Sequence, residues 1–261
     1  MYAFDFVKPK TLAEAVKALG AEDAQALGGG QTLIPTLKQR LAQPAVLVSL
    51  SGIAELKGVK AAGGSLTIGG GTSHATVAKE AKAYPALAAL AANIGDPAVR
   101  SLGTIGGSIA NNDPSADYPA AVLASGATVV TNTREIAADD FFQGMFTTAL
   151  EPGEIITAVR FPVPEKANYQ KFEQPASRFA LVGVFVAKYA AGVRVAVTGA
   201  STEGVFRWTE AEKALSANFA ASAVAGLAVP GGEMIADIHG SAAYRAHLIK
   251  VLTGRAVAAA G

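Results

Sequence analysis

The sequence predicts an α+β fold built from two domains. Short strand-like segments alternate with alanine-rich helical segments up to residue 161, three strand-like segments follow closely after residue 168, and the last third is mostly helical in composition. The breaker PVPEKAN, residues 162–168, separates the two parts. We therefore expect a first domain at residues 1–163 and a second at residues 168–261, the second being a small antiparallel sheet with helices on one face.

The first domain is predicted to begin with short strands and helices. Alternating apolar and polar residues predict a strand at residues 2–7, and Thr11 is the predicted N-cap of the helix that follows. Pro35 fits the first turn of a helix, which predicts a helix at residues 33–40. The other predicted elements of this domain are strands at 24–27, 46–50, 128–132 and 155–161, a hairpin of 59–62 with 65–68, and helices within 76–92 and at 118–125.

The second domain is predicted from three apolar segments and a helical end. Strands are expected at residues 169–173, 181–189 and 193–198, and a closing helix at residues 242–257. TIGGG at residues 67–71 and TIGGS at residues 104–108 are similar, and we interpret both as strands that end in glycine turns.

Composition excludes several classes of function. A formal net charge of +1 without a basic run argues against nucleic acid as the main partner, because binding to phosphate backbones requires clustered Lys and Arg. The chain has no cysteine, so any iron–sulfur cluster would have to be ligated by another polypeptide. Neither a secretory signal nor an apolar run of about 18 residues is evident, which predicts a cytoplasmic protein without a membrane span.

Two glycine-rich segments are the main candidates for a ligand site. LGGGQTLIP, residues 27–35, would bring backbone N–H groups close to an anion, and Gly29 is expected to let the backbone approach a diphosphate. TIGGSIANNDPSADYP, residues 104–119, is dense in turn formers and polar groups. Neither matches a dinucleotide fingerprint or a P-loop. We hypothesise that the two segments hold opposite parts of one phosphate-containing cofactor; the alternative is that they form tight structural turns.

Other polar residues have both structural and functional interpretations. Asp117 is a candidate acceptor for a ribose or ribityl hydroxyl, and the alternative is a local cap. YQKFEQPASRFA, residues 169–180, places Lys171 and Arg178 beside aromatic residues at the domain boundary, where ligand sites are common. Lys171 is either a solvated strand residue or a contact to an electron-rich ring. The scattered histidines lack metal-ligand spacing; we expect His74 at the surface or as a cap, and the alternative is a position near the ligand. Arg100 is expected in a surface salt bridge, and the alternative is a contact to a phosphate.

Six ordered blocks resemble a known family. They closely resemble the FAD-binding medium subunits of the molybdenum hydroxylase family, most closely those of the aerobic carbon monoxide dehydrogenase type, and together they cover essentially the whole chain. The blocks are GGGQTLIP, VRSLGTIGGSIANNDPSADYPAAVLA, FFQGMFTTALEPGEII, YQKFEQPASRFALVGV, VAVTGASTEGVFR and GSAAYRAHLIKVL.

The resemblance implies a two-domain flavoprotein. Its first domain would be an FAD-binding domain of the vanillyl-alcohol-oxidase type (PCMH type), followed by a smaller C-terminal domain of the carbon monoxide dehydrogenase flavoprotein type. In this family, FAD receives electrons from [2Fe-2S] clusters on a small subunit, which are fed by a molybdopterin centre on a large subunit. A dimer of heterotrimers is implied, with an external acceptor and without a catalytic side chain on this subunit.

The resemblance also assigns site residues. Asp117 would be a polar contact to FAD, and Ile155 or Ile156 would lie close to the flavin together with Lys171. Gln31 stands where relatives often have histidine and cannot form a histidyl–flavin bond, so we expect non-covalent FAD. The two loops assigned to FAD consist of Gly28, Gly29, Gly30, Gln31, Thr32 and Leu33 in the diphosphate loop, and Thr104, Ile105, Gly106, Gly107 and Ser108 in the second loop.

Two alternatives to an electron-transfer subunit remain open. A self-sufficient flavin oxidoreductase with the same fold would require an acid or base near the flavin, and the sequence nominates none. A non-catalytic scaffold subunit would retain the fold with a degenerate flavin site.

Overall fold

The chain begins with a small parallel sheet in the computed structural model, which describes residues 1–229 and 233–260. The middle strand runs parallel to both neighbours, in the order β1-β3-β2. The carboxyl ends of the strands therefore meet at one edge, and the first glycine-rich segment leaves β2 there. The elements of this part are β1 (Asp5–Val7), α1 (Leu12–Leu19), β2 (Ala24–Leu27), α2 (Leu33–Lys38) and β3 (Val46–Ser49).

A five-stranded antiparallel sheet follows, with the order β4-β5-β10-β6-β7. Five helices lie between its second and third strands in sequence. The elements are β4 (Val59–Ala62), β5 (Ser65–Gly69), α3 (His74–Glu80), α4 (Pro85–Ala92), α5 (Pro97–Leu102), α6 (Ile105–Asn111), α7 (Tyr118–Ala124), β6 (Thr128–Thr131), β7 (Glu135–Ala137), α8 (Ala138–Phe141), β8 (Phe142–Gly144), β9 (Thr147–Thr148) and β10 (Ile156–Pro162).

A four-stranded antiparallel sheet and two longer helices complete the chain. The strands pair in chain order, and a short 3-10 helix at Ala221–Val224 lies between the two helices. Residues 225–229 and 233–241 form turns and isolated bridges, so the last third is less helical than its composition suggests. The elements are β11 (Lys166–Glu173), β12 (Ala180–Tyr189), β13 (Gly192–Thr198), β14 (Phe206–Arg207), α9 (Thr209–Ala217) and α10 (Ala242–Ala259).

Local sequence signals fix where several helices begin. The hydroxyl of Thr11 accepts a hydrogen bond from the backbone N–H of Glu14, which confirms the predicted N-cap of α1. Ser73 and Ser241 cap α3 and α10 in the same way. The predicted bounds of these elements differ from the observed ones by three residues or fewer.

The interpretation of residues 104–108 as a strand ending in a glycine turn is wrong. This segment is the first turn of α6, with Thr104 as its N-cap. Glycine is a poor helix former, but the N–H groups at this helix start are all bonded: Thr104 accepts from Gly107, and two carbonyls of the preceding segment accept from Ile105 and Gly106. These contacts are far apart in sequence, and they outweigh local propensity.

Strand β12 is buried on both faces, which explains its continuous apolar sequence. Val184 and Val186 face the cluster formed with α9 and α10, the helices predicted on one face. Phe185 and Ala187 face the opposite way, into the core that contains α4 and α7. Every residue of α7 is buried, and the helix packs against β12, β13 and β14 on one side and against α4, α6 and α8. One apolar core contains residues from both sides of the predicted boundary between residues 163 and 168. The division into two domains at this boundary therefore stays a prediction.

The shared core predicts how the chain unfolds. Phe185 is fully buried and contacts Tyr84 edge-on and Tyr169 face-on. We expect Phe185→Ala to lower the free energy of unfolding by about 3–5 kcal/mol, measured by urea denaturation. Ile238→Ala is the control, since Ile238 is 96% exposed. Two separate unfolding transitions, of which Phe185→Ala shifts only one, would contradict the shared core.

Candidate functional site

A single large cavity brings the predicted loops together. Its volume is about 1370 Å³, and its wall comes from loops and strand ends that are distant in sequence. The carboxyl edge of the parallel sheet contributes through the ends of β2 and β3. The main wall segments are residues 27–33, 49–51, 70–74, 101–104, 106–108, 115–117, 154–156 and 177–179.

The first glycine-rich loop presents unused hydrogen-bond donors. Within the described ranges, no protein acceptor is assigned to the backbone N–H groups of residues 28–33. Several carbonyls in and beside this segment are bonded within the protein: Leu27 accepts from Leu50, Gly30 from Ile34 and Thr32 from Thr36, at 2.9–3.2 Å. Buried or cavity-lining N–H groups are normally paired, so this run is suited to an anionic ligand.

Glycine at position 29 has a structural reason different from the expected one. A Cβ atom there would overlap the carbonyl oxygen of Leu102 and lie 2.6 Å from the Cα of Gly103. The close contact between two protein loops therefore explains why position 29 is a glycine. The approach of a diphosphate, which we expected to be the reason, is not required for this explanation. Gly30 has a φ of +73°, a backbone conformation that favours glycine.

The second glycine-rich segment meets the first directly. A Cβ atom built on Gly28 would lie 3.0 Å from Oγ1 of Thr104 and 3.8 Å from the Cα of Gly107. The N–H groups of Ile105, Gly106 and Gly107 are bonded within the protein. This segment therefore offers surface and hydroxyl groups to the cavity, whereas free N–H groups come from the first loop.

Ile105 is separated from the other residues predicted in this loop. Its side chain is fully buried in the apolar core and does not line the cavity. Ser108, with Gly106 and Gly107, does line the cavity.

A third glycine segment, residues 69–71, belongs to the site although we predicted only a strand end there. The N–H of Gly70 donates to Thr157 at 2.8 Å, and its carbonyl accepts from Gly106 at 2.9 Å. A Cβ atom at Gly70 would overlap the carbonyl oxygen of Ile156. The similarity between TIGGG and TIGGS was the signal that could have identified this segment, since the two segments contact each other through a backbone hydrogen bond at the cavity.

Asp117 and Lys171 form a buried ion pair beside the cavity. Nζ of Lys171 lies 3.0 Å from Oδ1 of Asp117 and donates to the carbonyl of Asn93 at 3.0 Å. The hydroxyl of Tyr169 donates to Asp117 at 2.7 Å. Burial raises the pKa of Asp117, while the positive charge of Lys171 and the hydrogen bond from Tyr169 oppose that increase. Asp117 lines the cavity and Lys171 does not. The side chain of Lys171 is only 5% exposed, so its interpretation as a solvated strand residue is wrong.

His74 is a cavity residue, and the expectation of a surface histidine is wrong. It follows the N-cap of α3 and is 4% exposed, with its ring centroid 5.3 Å from that of Tyr118. Burial, and to a smaller extent the positive charge of Arg100, lowers the pKa of His74 to about 4. Nδ1 of His74 and the hydroxyl of Tyr118 are buried without an assigned partner among the described residues. The imidazole is therefore neutral at physiological pH.

The remaining candidates have clear positions. Ile155 and Ile156 line the cavity, and their place close to the flavin stays a prediction. Arg100 donates to the carbonyls of Ile94 and Gly95 at 3.0 and 2.7 Å. It thus binds the backbone of the preceding loop and, within the described ranges, does not form the surface salt bridge that we expected. Residues 177–179 line the cavity too. Arg178 belongs to the segment at the domain boundary that we singled out as a candidate ligand site, whereas Ser177 and Phe179 were not named.

The described residues contain neither a metal-binding cluster nor a membrane-spanning helix. Among residues 1–229 and 233–260, no group of three or more His, Cys, Asp or Glu side chains is arranged to hold a metal ion. Within the same ranges, no helix combines the length and the hydropathy that crossing a membrane requires.

Comparison with known proteins identifies the family. Residues 2–164 match the family described as the FAD binding domain in molybdopterin dehydrogenase. The chain belongs to this family. It is 35% identical over 275 residues to the carbon monoxide dehydrogenase medium chain of Afipia carboxidovorans, covering 98% of this chain and 96% of the relative. It is 34% identical to the nicotine 6-hydroxylase medium subunit of Paenarthrobacter nicotinovorans, covering 99% and 98%.

Solved structures of family members share the fold over the whole chain. The structure described as reconstituted CO dehydrogenase from Oligotropha carboxidovorans superposes with a TM-score of 0.92 at 33% identity, covering 99% of this chain and 98% of that one. The carbon monoxide dehydrogenase from Hydrogenophaga pseudoflava gives a TM-score of 0.87 at 32% identity, covering 99% and 97%. These matches confirm the predicted family and the predicted α+β fold class.

The contact between the two glycine loops is testable in the protein without cofactor. We expect Gly29→Ala to lower the free energy of unfolding by about 1–3 kcal/mol, because its Cβ would force the first loop away from Leu102. Gly226→Ala is the matched control, since no atom lies within 4 Å of the added Cβ. Urea denaturation measures both variants. Equal stabilities of Gly29→Ala and Gly226→Ala would contradict the contact.

The buried histidine predicts a pH dependence of stability. The pKa of His74 is about 4 in the folded chain, against about 6.5 in an unfolded chain. The unfolded chain therefore binds the extra proton first, and stability that is fully present above about pH 6.5 is lost as the pH falls to about 4, by about 3 kcal/mol.

His74→Asn removes this titration. The free energy of unfolding of the variant, measured with urea at a series of pH values, should depend less steeply on pH between about 4 and 6.5 than that of the wild type. Parallel curves for the two proteins would show that His74 is not buried in its neutral form.

Proposed function

We propose that this chain binds FAD in the cavity and acts as the electron-transfer medium subunit of a molybdenum hydroxylase. The observation that carries the proposal is the run of unpaired N–H groups at residues 28–33, at the carboxyl edge of a parallel sheet. A diphosphate is the part of FAD that such a run would bind. Membership of an FAD-binding family supports the same ligand.

The residues present fit this cofactor. A volume of about 1370 Å³ exceeds the range of about 300–1,000 Å³ typical of pockets for drug-sized ligands, as an extended dinucleotide requires. The close contact of Gly28 with Gly107 leaves the loop backbone uncovered by side chains, so a phosphate can approach it. Asp117 lies on the wall, and its carboxylate would accept from a ribose or ribityl hydroxyl.

Each part of the wall has a separate role in the proposal. The first loop holds the diphosphate, and Thr104 and Ser108 contribute hydroxyl groups beside it. Ile155 and Ile156 provide apolar surface close to the flavin ring and exclude water from it. FAD, when bound, accepts and returns one or two electrons. Lys171 would act on the site through Asp117, whose negative charge it compensates.

We propose non-covalent attachment of FAD. Gln31, at the loop position where a histidine could form a covalent bond, has no nucleophilic nitrogen, and the chain has no cysteine. Lys171 is occupied by Asp117 and the carbonyl of Asn93.

The partners proposed are a large molybdopterin-binding subunit and a small [2Fe-2S] subunit, assembled as a dimer of heterotrimers in the cytoplasm. The lack of cysteine supports the division of labour, since the clusters require thiolate ligands. Three large apolar side chains on the cavity wall, Phe6, Leu102 and Phe146, are 49–58% exposed. An apolar rim of this kind is typical of a surface that another chain covers.

Flavin binding by the purified chain tests the proposal. We expect the protein to take up FAD, to give a protein-bound flavin absorption spectrum, and to release unmodified FAD on acid denaturation. Affinity for FAD should exceed that for riboflavin by about 100-fold or more, because riboflavin lacks the diphosphate that would form charge-assisted hydrogen bonds with the loop. Titration followed by flavin absorbance measures both ligands.

Two outcomes would contradict the proposal. A chain that neither retains flavin nor takes up added FAD would instead be a scaffold subunit with a degenerate site. Rapid anaerobic reduction of bound FAD by a small organic substrate, without partner chains, would favour the self-sufficient oxidoreductase.

A further inference from the structure

The loop between β11 and β12, residues 174–179, is the contribution of the C-terminal sheet to the cavity. Among the wall residues in the described ranges, only Ser177, Arg178 and Phe179 come from beyond residue 166. The rest of the wall belongs to the first 156 residues. The position of this one loop therefore decides how the cavity is closed on that side.

The loop is short, and its backbone is held in an uncommon conformation. The N–H of Gln174 donates to the carbonyl of Phe179 at 3.0 Å, and the N–H of Arg178 donates to the carbonyl of Gln174 at 2.8 Å. Arg178 has a φ of +60°, which side chains with a Cβ rarely adopt. Such a conformation persists where surrounding contacts determine it.

His239, which lies on the turn Asp237–Gly240, supplies two of those contacts. The amide nitrogen of Gln174 lies 2.7 Å from Nδ1 of His239. Because the amide nitrogen can only donate, Nδ1 accepts, and the Gln174 carbonyl oxygen is oriented the other way, towards the N–H of Ala176. The imidazole also packs edge-on against the ring of Phe179, with centroids 5.6 Å apart at 72°. His239 thus touches both ends of the loop.

A buried arginine fixes the turn that carries His239. The carboxylate of Asp237 accepts from the N–H groups of His239 and Gly240 at 2.9 and 3.1 Å, and both of its oxygens accept from Nη2 of Arg245 at 2.7–2.8 Å. Arg245 is 2% exposed and donates to the carbonyls of Leu181 and Gly199 at 2.7 Å. These contacts anchor the turn to strand β12, just beyond the loop that it supports.

We propose that His239 is a positioning residue for the cofactor cavity: backed by Asp237 and Arg245, it holds residues 174–179 so that Arg178 and Phe179 close the wall. The inference rests on the proposed function, in which the cavity holds FAD. His239 itself does not line the cavity and acts only through Gln174 and Phe179. Its loss should therefore loosen the loop and speed the exchange of cofactor, with little effect on the fold.

Hydrogen–deuterium exchange and FAD dissociation test this together. In His239→Ala, we expect the N–H groups of Gln174 and Arg178 to exchange about fivefold faster in the FAD-free chain, the factor that corresponds to one net hydrogen bond. FAD dissociation should accelerate by a similar factor. His239→Asn retains an acceptor at the Nδ1 position, so both its exchange rates and its rate of FAD dissociation should lie close to those of the wild type. Ile238→Ala, on the same turn and 96% exposed, should match the wild type.

A double variant separates positioning from general destabilisation. If His239 acts through Gln174, then His239→Ala combined with Gln174→Ala should be no faster than the faster single variant. The inference would be overturned if the rate increases of the two single variants multiplied in the double variant, or if His239→Ala left hydrogen exchange unchanged. Neither result would affect FAD binding by the wild type. If the wild type takes up no FAD, the proposed function fails and the closing role of the loop fails with it, even where the exchange rates confirm the contact.

Discussion

The site depends on backbone segments that pass each other without side chains between them. Gly29 lies against the backbone of Leu102 and Gly103, and Gly70 is enclosed between Gly106 and Ile156. At these points a single Cβ would overlap a main-chain atom. The close approach also determines which N–H groups stay available to a ligand. Carbonyls and N–H groups of the second and third segments form hydrogen bonds with one another, whereas the N–H groups of the first loop have no protein acceptor among the described residues. Packing thus determines where the cavity is electropositive.

Local patterns were sufficient for most of the fold. The N-cap at Thr11, the hairpin glycines and the long apolar strand after residue 180 each follow from short-range rules, and they were predicted to within a few residues. Residues 104–108 were not, because their helical state depends on carbonyls about 35 residues earlier in the chain, at Gly70 and Thr72. The same limit applies to His74, whose burial results from α5 and α7 packing over the start of α3.

The candidate site was predictable as a set of loops and less so as a set of interactions. The residues of the first loop, Asp117, and Ile155 and Ile156 at the start of β10 all reach one cavity. The pairing of Lys171 with Asp117 was not predictable, because it joins the sheet after residue 166 to the start of α7. That ion pair is costly to bury, and the hydroxyl of Tyr169 adds the hydrogen bond that such a pair needs to be tolerated.

Helix α7 has a consequence for how this family can be engineered. Its seven residues are all buried among helices α4, α6 and α8 and strands β12, β13 and β14 of the C-terminal sheet, and Phe185 and Ala187 of β12 belong to the same apolar core. The C-terminal sheet is thus not an independent module that could be exchanged between relatives at residue 165. A chimera would also have to carry the donor's versions of α4 and α7, or it would join two surfaces whose side chains were never matched to each other.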